Sequence, residues 1–311
     1  MQISGLSARC MSCVVALVVF PILSRAQMKN VAERLGYPAD SKLLIIHGDD
    51  LAVAHSVDRA SFQALDEKAI SSASIMMTCP WVTEAAAYAR EHPDADLGLH
   101  LTLTSEWKTY RWGPVAPSDQ VPGLLDPNGY LWPDVMPVAQ HAKPEEVERE
   151  IRAQVERALA MGIHPTHLDM HMGTLAARPD YYAALIKVAH EYHLPFLAVH
   201  VPDARDKMFS MLSDKDILLD SLLMFDTRVP ASEWTASYVK SLAALKPGMH
   251  LMIVHLGYDD AELQAITEGH PDYGAAWHER DLHAVESPEF KKALEDNHII
   301  VIGWKDLKKV L

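Results

Sequence analysis

Cysteine is nearly absent from this 311-residue chain. There are three, and Cys10 and Cys13 fall in the first 26 residues, so Cys79 stands alone in the rest and an internal disulfide there is excluded. A lone cysteine of this kind reads as a small core residue. Long apolar runs are missing too: from residue 27 onward nothing approaches the ~18 consecutive apolar residues of a membrane span. No Gly-x-Gly-x-x-Gly or Walker-type loop follows an apolar run, which counts against nucleotide-binding versions of an open sheet. Basic residues are scarce, 28 Lys and Arg against 42 Asp and Glu, for a net charge of −14. Such a surface repels phosphate backbones and excludes nucleic acid as a natural partner, whereas neutral or cationic substrates suit it.

The first 26 residues have the layout of a cleaved export signal. Arg9 precedes the apolar run Met11–Leu23, and Ser24-Arg25-Ala26 places small residues at −3 and −1. The apolar run is too short to span a bilayer. The expectation is therefore an exported protein, periplasmic or secreted, with a single domain over residues 27–311. Without the signal the balance is 26 basic against 42 acidic residues, or −16.

Short apolar runs alternate with helical patterns along the remainder. Residues 42–47, 74–77, 95–101, 166–170, 195–199, 250–255 and 298–302 read as strands. Helices are expected at 57–69, 82–91, 144–161, 179–192, 232–245 and 288–296. Pro144 near N1, with Glu145 and Glu146 in the first turn, makes the third of these the firmest. The alternation predicts parallel βα units with seven or eight strands, in a barrel or an open sheet. Residues 103–143 interrupt it with a Pro- and Gly-rich stretch that also carries Trp107, Tyr110, Trp112, Tyr130 and Trp132. Aromatics at this density predict an ordered loop over a barrel mouth, not a disordered one.

Four polar clusters sit at the carboxyl ends of predicted strands: Asp49-Asp50, His100, His167-Leu168-Asp169-Met170-His171, and His255. In parallel α/β folds those ends converge on the ligand site, so the four should meet in space. Along an extended strand His167 and His171 are separated by about 13 Å and cannot share an ion. His171, nearer the mouth, is the better ligand; Asp169 can orient an imidazole, and His167 reads as a deeper, hydrogen-bonded residue. Of the two adjacent acids one can bind a cation while the other stays free as a base towards water, although either could simply cap the next helix. One carboxylate with two imidazoles suits Zn²⁺, Mn²⁺, Fe²⁺ or Co²⁺, Mg²⁺ being less natural, and leaves positions open for water and substrate.

The runs LLIIHGDDLAVAHSV, LGLHLTLT, PTHLDMHMG and MIVHLGY, in this order, resemble the YdjC/ChbG family of carbohydrate deacetylases over roughly residues 42–311. The resemblance implies a distorted (β/α) barrel with one divalent metal ion at its C-terminal mouth. It implies removal of acetyl groups from N-acetylated amino sugars or oligosaccharides. Matched motif by motif, it makes Asp49 the base, Asp50, His100 and His171 the metal ligands, and His255 the acid or oxyanion partner. Glu279-Arg280-Asp281-Leu282 resembles the family's arginine-bearing stretch, which marks Arg280 as a substrate contact. The chain departs from the family where His47-Gly48 replaces the usual Asn-Ala before the two aspartates, where Met172-Gly173-Thr174 follows the third ligand, and where Leu256 follows His255. These departures touch no ligand and bear on substrate identity.

Two other readings use the same residues. A metal-dependent esterase or phosphoesterase would want Arg or Lys beside the clusters to hold phosphate, and none flanks them closely. A non-catalytic exported glycan-binding protein would stack Trp112 and Trp132 on sugar rings, against the simpler expectation that the loop aromatics pack on the barrel. Sequence leaves monomer and homo-oligomer open.

Overall fold

The computed structural model describes residues 30–311 except 200–207, 209 and 226, so the segment read as an export signal lies outside the described residues. Seven parallel strands form one curled sheet: β1 (Lys42–Leu51), β2 (Ser72–Ile75), β3 (Leu97–Leu101), β4 (Leu168–Met170), β5 (Ser221–Leu223), β6 (Gly248–Val254) and β7 (Ile299–Val301). Their order is β4-β3-β2-β1-β6-β5, with β7 added beside β1. One edge of β1 follows β6 from Lys42 to Gly48. The other pairs with β7 over Lys42–Leu44 and with β2 from His47 onward. Between β4 and β5 the path continues, among the described residues, as isolated bridges, Leu168 to Phe196 and Val199 to Leu219. The result is a parallel half-barrel whose far side is bridged, not fully stranded.

Alternation along β1 explains its position. Leu43 and Ile45 pack with Met249, Leu251, Ile302 and Trp304 in one cluster. Leu44 and Ile46, on the other face, belong to the larger core cluster that also holds Val57, Ala60 and Ala64 of the first helix after the strand. A period of two therefore buries both faces, and each fully buried aliphatic side chain stabilises the fold by about 1.5–3 kcal/mol. The helices α1 (His55–Asp66), α2 (Val82–Glu91), α3 (Pro144–Ala160) and α4 (Pro179–Glu191) lie close to their expected limits. Among the elements that escaped the sequence reading are β5 and the helix α5 (Ala275–Glu286). Residues 195–199, expected as a strand, make only bridges.

The long connection after β3 is ordered. It contains the single turns Ser118–Gln120 and Pro122–Leu124 and a short helix, Val135–His141. It is tied to α3 by Glu150, whose carboxylate accepts the backbone N–H groups of Val115 at 2.9 Å and Ala116 at 2.8 Å. Burial drives the Glu150 carboxyl up to about 7 in spite of these bonds. Cys79 is buried in the core, as expected for a structural thiol.

Candidate metal centre and active site

The two adjacent acids reach one cavity because the chain leaves strand geometry at their position. Register with β2 shifts between Gly48 and Leu51. Asp50 and Ala52 then adopt left-handed backbone conformations, φ 66° and 75°. Aspartate tolerates this region and alanine does not, so the turn is held from outside. The Asp58 carboxylate accepts the N–H of Ala52 at 2.5 Å, and Tyr110 donates its hydroxyl to the Val53 carbonyl at 2.8 Å. Neither acid caps α1. Its N-cap is Ala54, and Glu262 accepts the N–H groups of His55 and Ser56 instead.

His100 on β3 and Asp169 on β4 are direct register partners. Asp169 grips two imidazoles, one with each oxygen: His100 Nδ1 at 2.7 Å and His47 Nε2 at 2.8 Å. This leaves His100 Nε2 pointing away from Asp169. On the third side His171 Nε2 lies 3.1 Å from Glu106 Oε2, which turns His171 Nδ1 inward. The inward atoms form a near-equilateral triangle. His100 Nε2 is 3.2 Å from His171 Nδ1 and 3.3 Å from Asp50 Oδ1, and Asp50 Oδ1 is 3.2 Å from His171 Nδ1.

That triangle fits a divalent cation. A tetrahedral site with bonds of about 2.0–2.1 Å has edges of about 3.3 Å. Asp50 Oδ1 is buried without a hydrogen-bond partner, although two imidazole nitrogens lie close by. Each imidazole has its outer nitrogen on a carboxylate, the arrangement that fixes ligand histidines. Two other buried groups, His47-His167-Asp169 and Asp49-His100-Asp169, also bring ligand atoms together. Both depend on Asp169 oxygens that already accept from His47 and His100.

Charge follows the same geometry. Burial pushes the Asp50 carboxyl up, but His100 and His171 override it and hold it well below the usual carboxylate range. Burial pushes His171 down, yet the charges of Glu106 and Asp50 raise it to about 9. His47, lowered by burial, is raised to about 9 by Asp169 and Asp49. For Asp169 burial is outweighed by the charge of His100 and the hydrogen bonds from His100 and His47, which keep it far below the normal range. His167 is fully buried and stacks on Trp304 at 4.9 Å, the deeper role expected of it.

Asp49 stands beside the triangle, outside it. Its Oδ2 is 3.9 Å from His100 Nε2 and 3.8 Å from His255 Nε2, and its buried Oδ1 lacks a hydrogen-bond partner. His255 follows the end of β6, level with Asp49 because Gly48 registers with Val254. Its backbone N–H donates to Asp281 Oδ2 at 2.9 Å, and its ring lies 4.9 Å from that of Trp277. These groups line a cavity of about 610 Å³ that opens at the carboxyl ends of the strands.

Three expected substrate contacts are placed elsewhere. Trp112 is buried, with its indole N–H donated to the Thr104 carbonyl at 2.8 Å. Trp132 stacks on His141 and donates to the Gly123 carbonyl. Arg280 lies over the Trp234 ring, 6.0 Å from its centroid. None of the three lines the cavity, so loop packing explains both tryptophans, and Trp107 is the loop tryptophan on the wall. In the 279–282 stretch it is Asp281 that reaches His255, accepting from Trp234, Tyr238 and the His255 backbone. Glu106 also escaped the sequence reading. Its signal was the alternation His100, Thr102, Thr104, Glu106, which keeps four residues on one face of an extended chain.

Comparison with known proteins agrees with this architecture. A carbohydrate deacetylase of Thermus thermophilus is 29% identical over 288 residues, covering 91% of this chain and 99% of its own. A carbohydrate deacetylase of Thermoanaerobacter pseudethanolicus is 24% identical and covers 86% of this chain and 100% of its own. A solved structure from Enterococcus faecalis V583 superposes with a TM-score of 0.72 at 23% identity, covering 86% of this chain and 99% of that one, and shares the fold. The sequence profile described as YdjC-like protein matches residues 43–296, and the chain belongs to that family.

Proposed function

We propose that this chain is a divalent-metal-dependent hydrolase that removes the acetyl group of an N-acetylated amino sugar or oligosaccharide. The observation that carries the reading is the triangle of Asp50, His100 and His171 with a fourth group, the Asp49 carboxylate, beside it and outside it. Relatives named carbohydrate deacetylases supply the substrate class. Bound by the triangle, a divalent cation would supply a Lewis acid for the acetamide carbonyl and for water.

The chain's own residues do the rest. Asp49 accepts the proton of the attacking water. His255, its Nε2 3.8 Å from Asp49 and its backbone N–H held by Asp281, donates a proton to the departing amine nitrogen as the C–N bond breaks. Acetate and a free amino sugar leave. Asp169 and Glu106 hold the two ligand imidazoles by their outer nitrogens. A phosphoesterase fits less well, since no Lys or Arg is among the described residues that line the cavity. The layout of residues 1–26 supports export of the protein, which signal-cleavage analysis by N-terminal sequencing of the mature chain would test.

The test of function is acetate release from a panel of N- and O-acetylated sugars by metal-stripped and reconstituted protein. The expected result is release from N-acetylated sugars that is lost on stripping and restored by one equivalent of Zn²⁺, Mn²⁺ or Co²⁺. Release that is indifferent to chelation, or confined to esters, would overturn the reading.

A further inference from the structure

The cavity divides by polarity. Its buried end holds Asp49, Asp50, His100, Glu106 and His171. Its mouth is apolar and open to solvent: Met224 is 54% exposed, Tyr273 49%, Met172 45% and Leu222 40%. These come from three separate segments, the turn after β4, the β5 strand with its exit, and the turn before α5. Between mouth and buried end the wall continues with Met170, Leu197 and Ile253. No Ser, Thr, Asn, Gln, Lys or Arg is among the described lining residues.

A hydroxyl-rich oligosaccharide running out of this mouth would leave most of its polar groups unpaired against methionine and leucine, which is costly. Large exposed apolar side chains gathered at one opening mark a binding surface. Because the apolar wall is continuous with the reactive end, its occupant is the rest of the molecule whose acetamide sits there. Among the described lining residues there is no Lys or Arg to hold a phosphate or pyrophosphate link.

Resting on the function proposed above, we infer that the substrate is an N-acetylated amino sugar bearing an uncharged hydrocarbon aglycone. The sugar occupies the polar end and the aglycone the apolar mouth. Methionines suit this role, since flexible thioether chains adapt to an alkyl group without fixed geometry.

The test is kcat/KM for acetate release from methyl, butyl, hexyl and octyl N-acetylglucosaminides, kept below their micelle concentrations, beside di- and tri-N-acetylchitooligosaccharides. Each methylene buried at the mouth should raise kcat/KM by about threefold to fourfold, so butyl should exceed methyl by at least tenfold. A Leu222→Ser, Met224→Ser double variant should flatten the series. Rates that climb with added sugar units and ignore alkyl length would overturn the inference while leaving deacetylation intact. A flat alkyl series accompanied by a concentration-dependent dimer in sedimentation would assign the apolar mouth to a second copy of the chain and overturn it as well. No acetate from any N-acetylated substrate would instead sink the proposed function on which it rests.

Discussion

Asp169 offers the sharpest test of how the centre is built. It touches no inward-facing atom of the triangle, yet it holds His100 at 2.7 Å and His47 at 2.8 Å, one with each oxygen. In Asp169→Asn one oxygen becomes an amide NH₂. Whichever way the amide turns, one imidazole loses its acceptor and meets a donor. If that imidazole is His100, its Nδ1–H is left unpaired in a buried site and its ring orientation is no longer set. Outer partners of ligand histidines typically account for 10–100-fold in metal affinity, or about 1.4–2.7 kcal/mol at 1.36 kcal/mol per factor of ten. Ser74 limits the loss, because its hydroxyl lies 3.3 Å from the same His100 nitrogen and can serve as a weaker substitute acceptor. The expected outcome is therefore Zn²⁺ or Co²⁺ affinity lowered by about tenfold or more, measured by competition with a chromophoric chelator. Activity should recover to within a few-fold at saturating metal, since Asp49 and His255, the proposed base and acid, remain. Unchanged affinity in a variant that melts normally would refute the assignment of Asp169 as the residue that orients His100. An activity loss that saturating metal cannot reverse would mean Asp169 acts in the chemistry itself.

The adjacent acids should fail differently. Asp49→Asn should keep the metal and lose kcat by about 10²-fold or more, as expected for a missing base, whereas Asp50→Asn should lose metal first and be partly rescued by excess. The reverse pattern in stoichiometry and kcat would exchange their roles. Trp112→Ala should cost about 3–5 kcal/mol of stability, as for other buried aromatics, with equal changes in KM for mono- and oligosaccharides; a normal melt with a KM rise confined to longer substrates would restore Trp112 as a sugar contact. Glu150 should make stability depend on pH. Its carboxyl lies near 7 in the folded protein against 4.5 unfolded, so the folded chain holds a proton between those values. Its contribution is greatest below the unfolded value and falls by about 3 kcal/mol as pH rises from 4.5 to 7. The stability difference between wild type and Glu150→Gln should therefore shift towards wild type at pH 5 relative to pH 7.5, and a difference constant across that range would count against a protonated Glu150.

What could be read in advance was whatever follows from local pattern plus the convergence of parallel strand ends. Apolar runs located β1, β3 and β4, and the rule that their carboxyl ends meet was enough to gather Asp50, His100 and His171 from positions far apart in the chain. Two kinds of information were not local. The aromatic loop looked like a sugar platform because tryptophan suits either a stack or a core, and composition cannot distinguish them. Tertiary packing decides, and it placed Trp112 against Thr104 and left Trp107 on the cavity wall. The second kind is backbone conformation. A regular strand would send Asp49 and Asp50 to opposite faces, and only the left-handed φ at Asp50, with Ala52 held by Asp58, brings them together. Nothing in His47-Gly48-Asp49-Asp50-Leu51 encodes that turn by propensity; Ala52 opposes it. The energy that maintains it comes from residues as distant as Tyr110. A strained turn maintained against local preference is what lets two neighbouring carboxylates lie side by side in one cavity. It also explains why one of the local rules, helix capping by the nearest acid, failed here: Glu262 took the cap and left both aspartates facing the cavity.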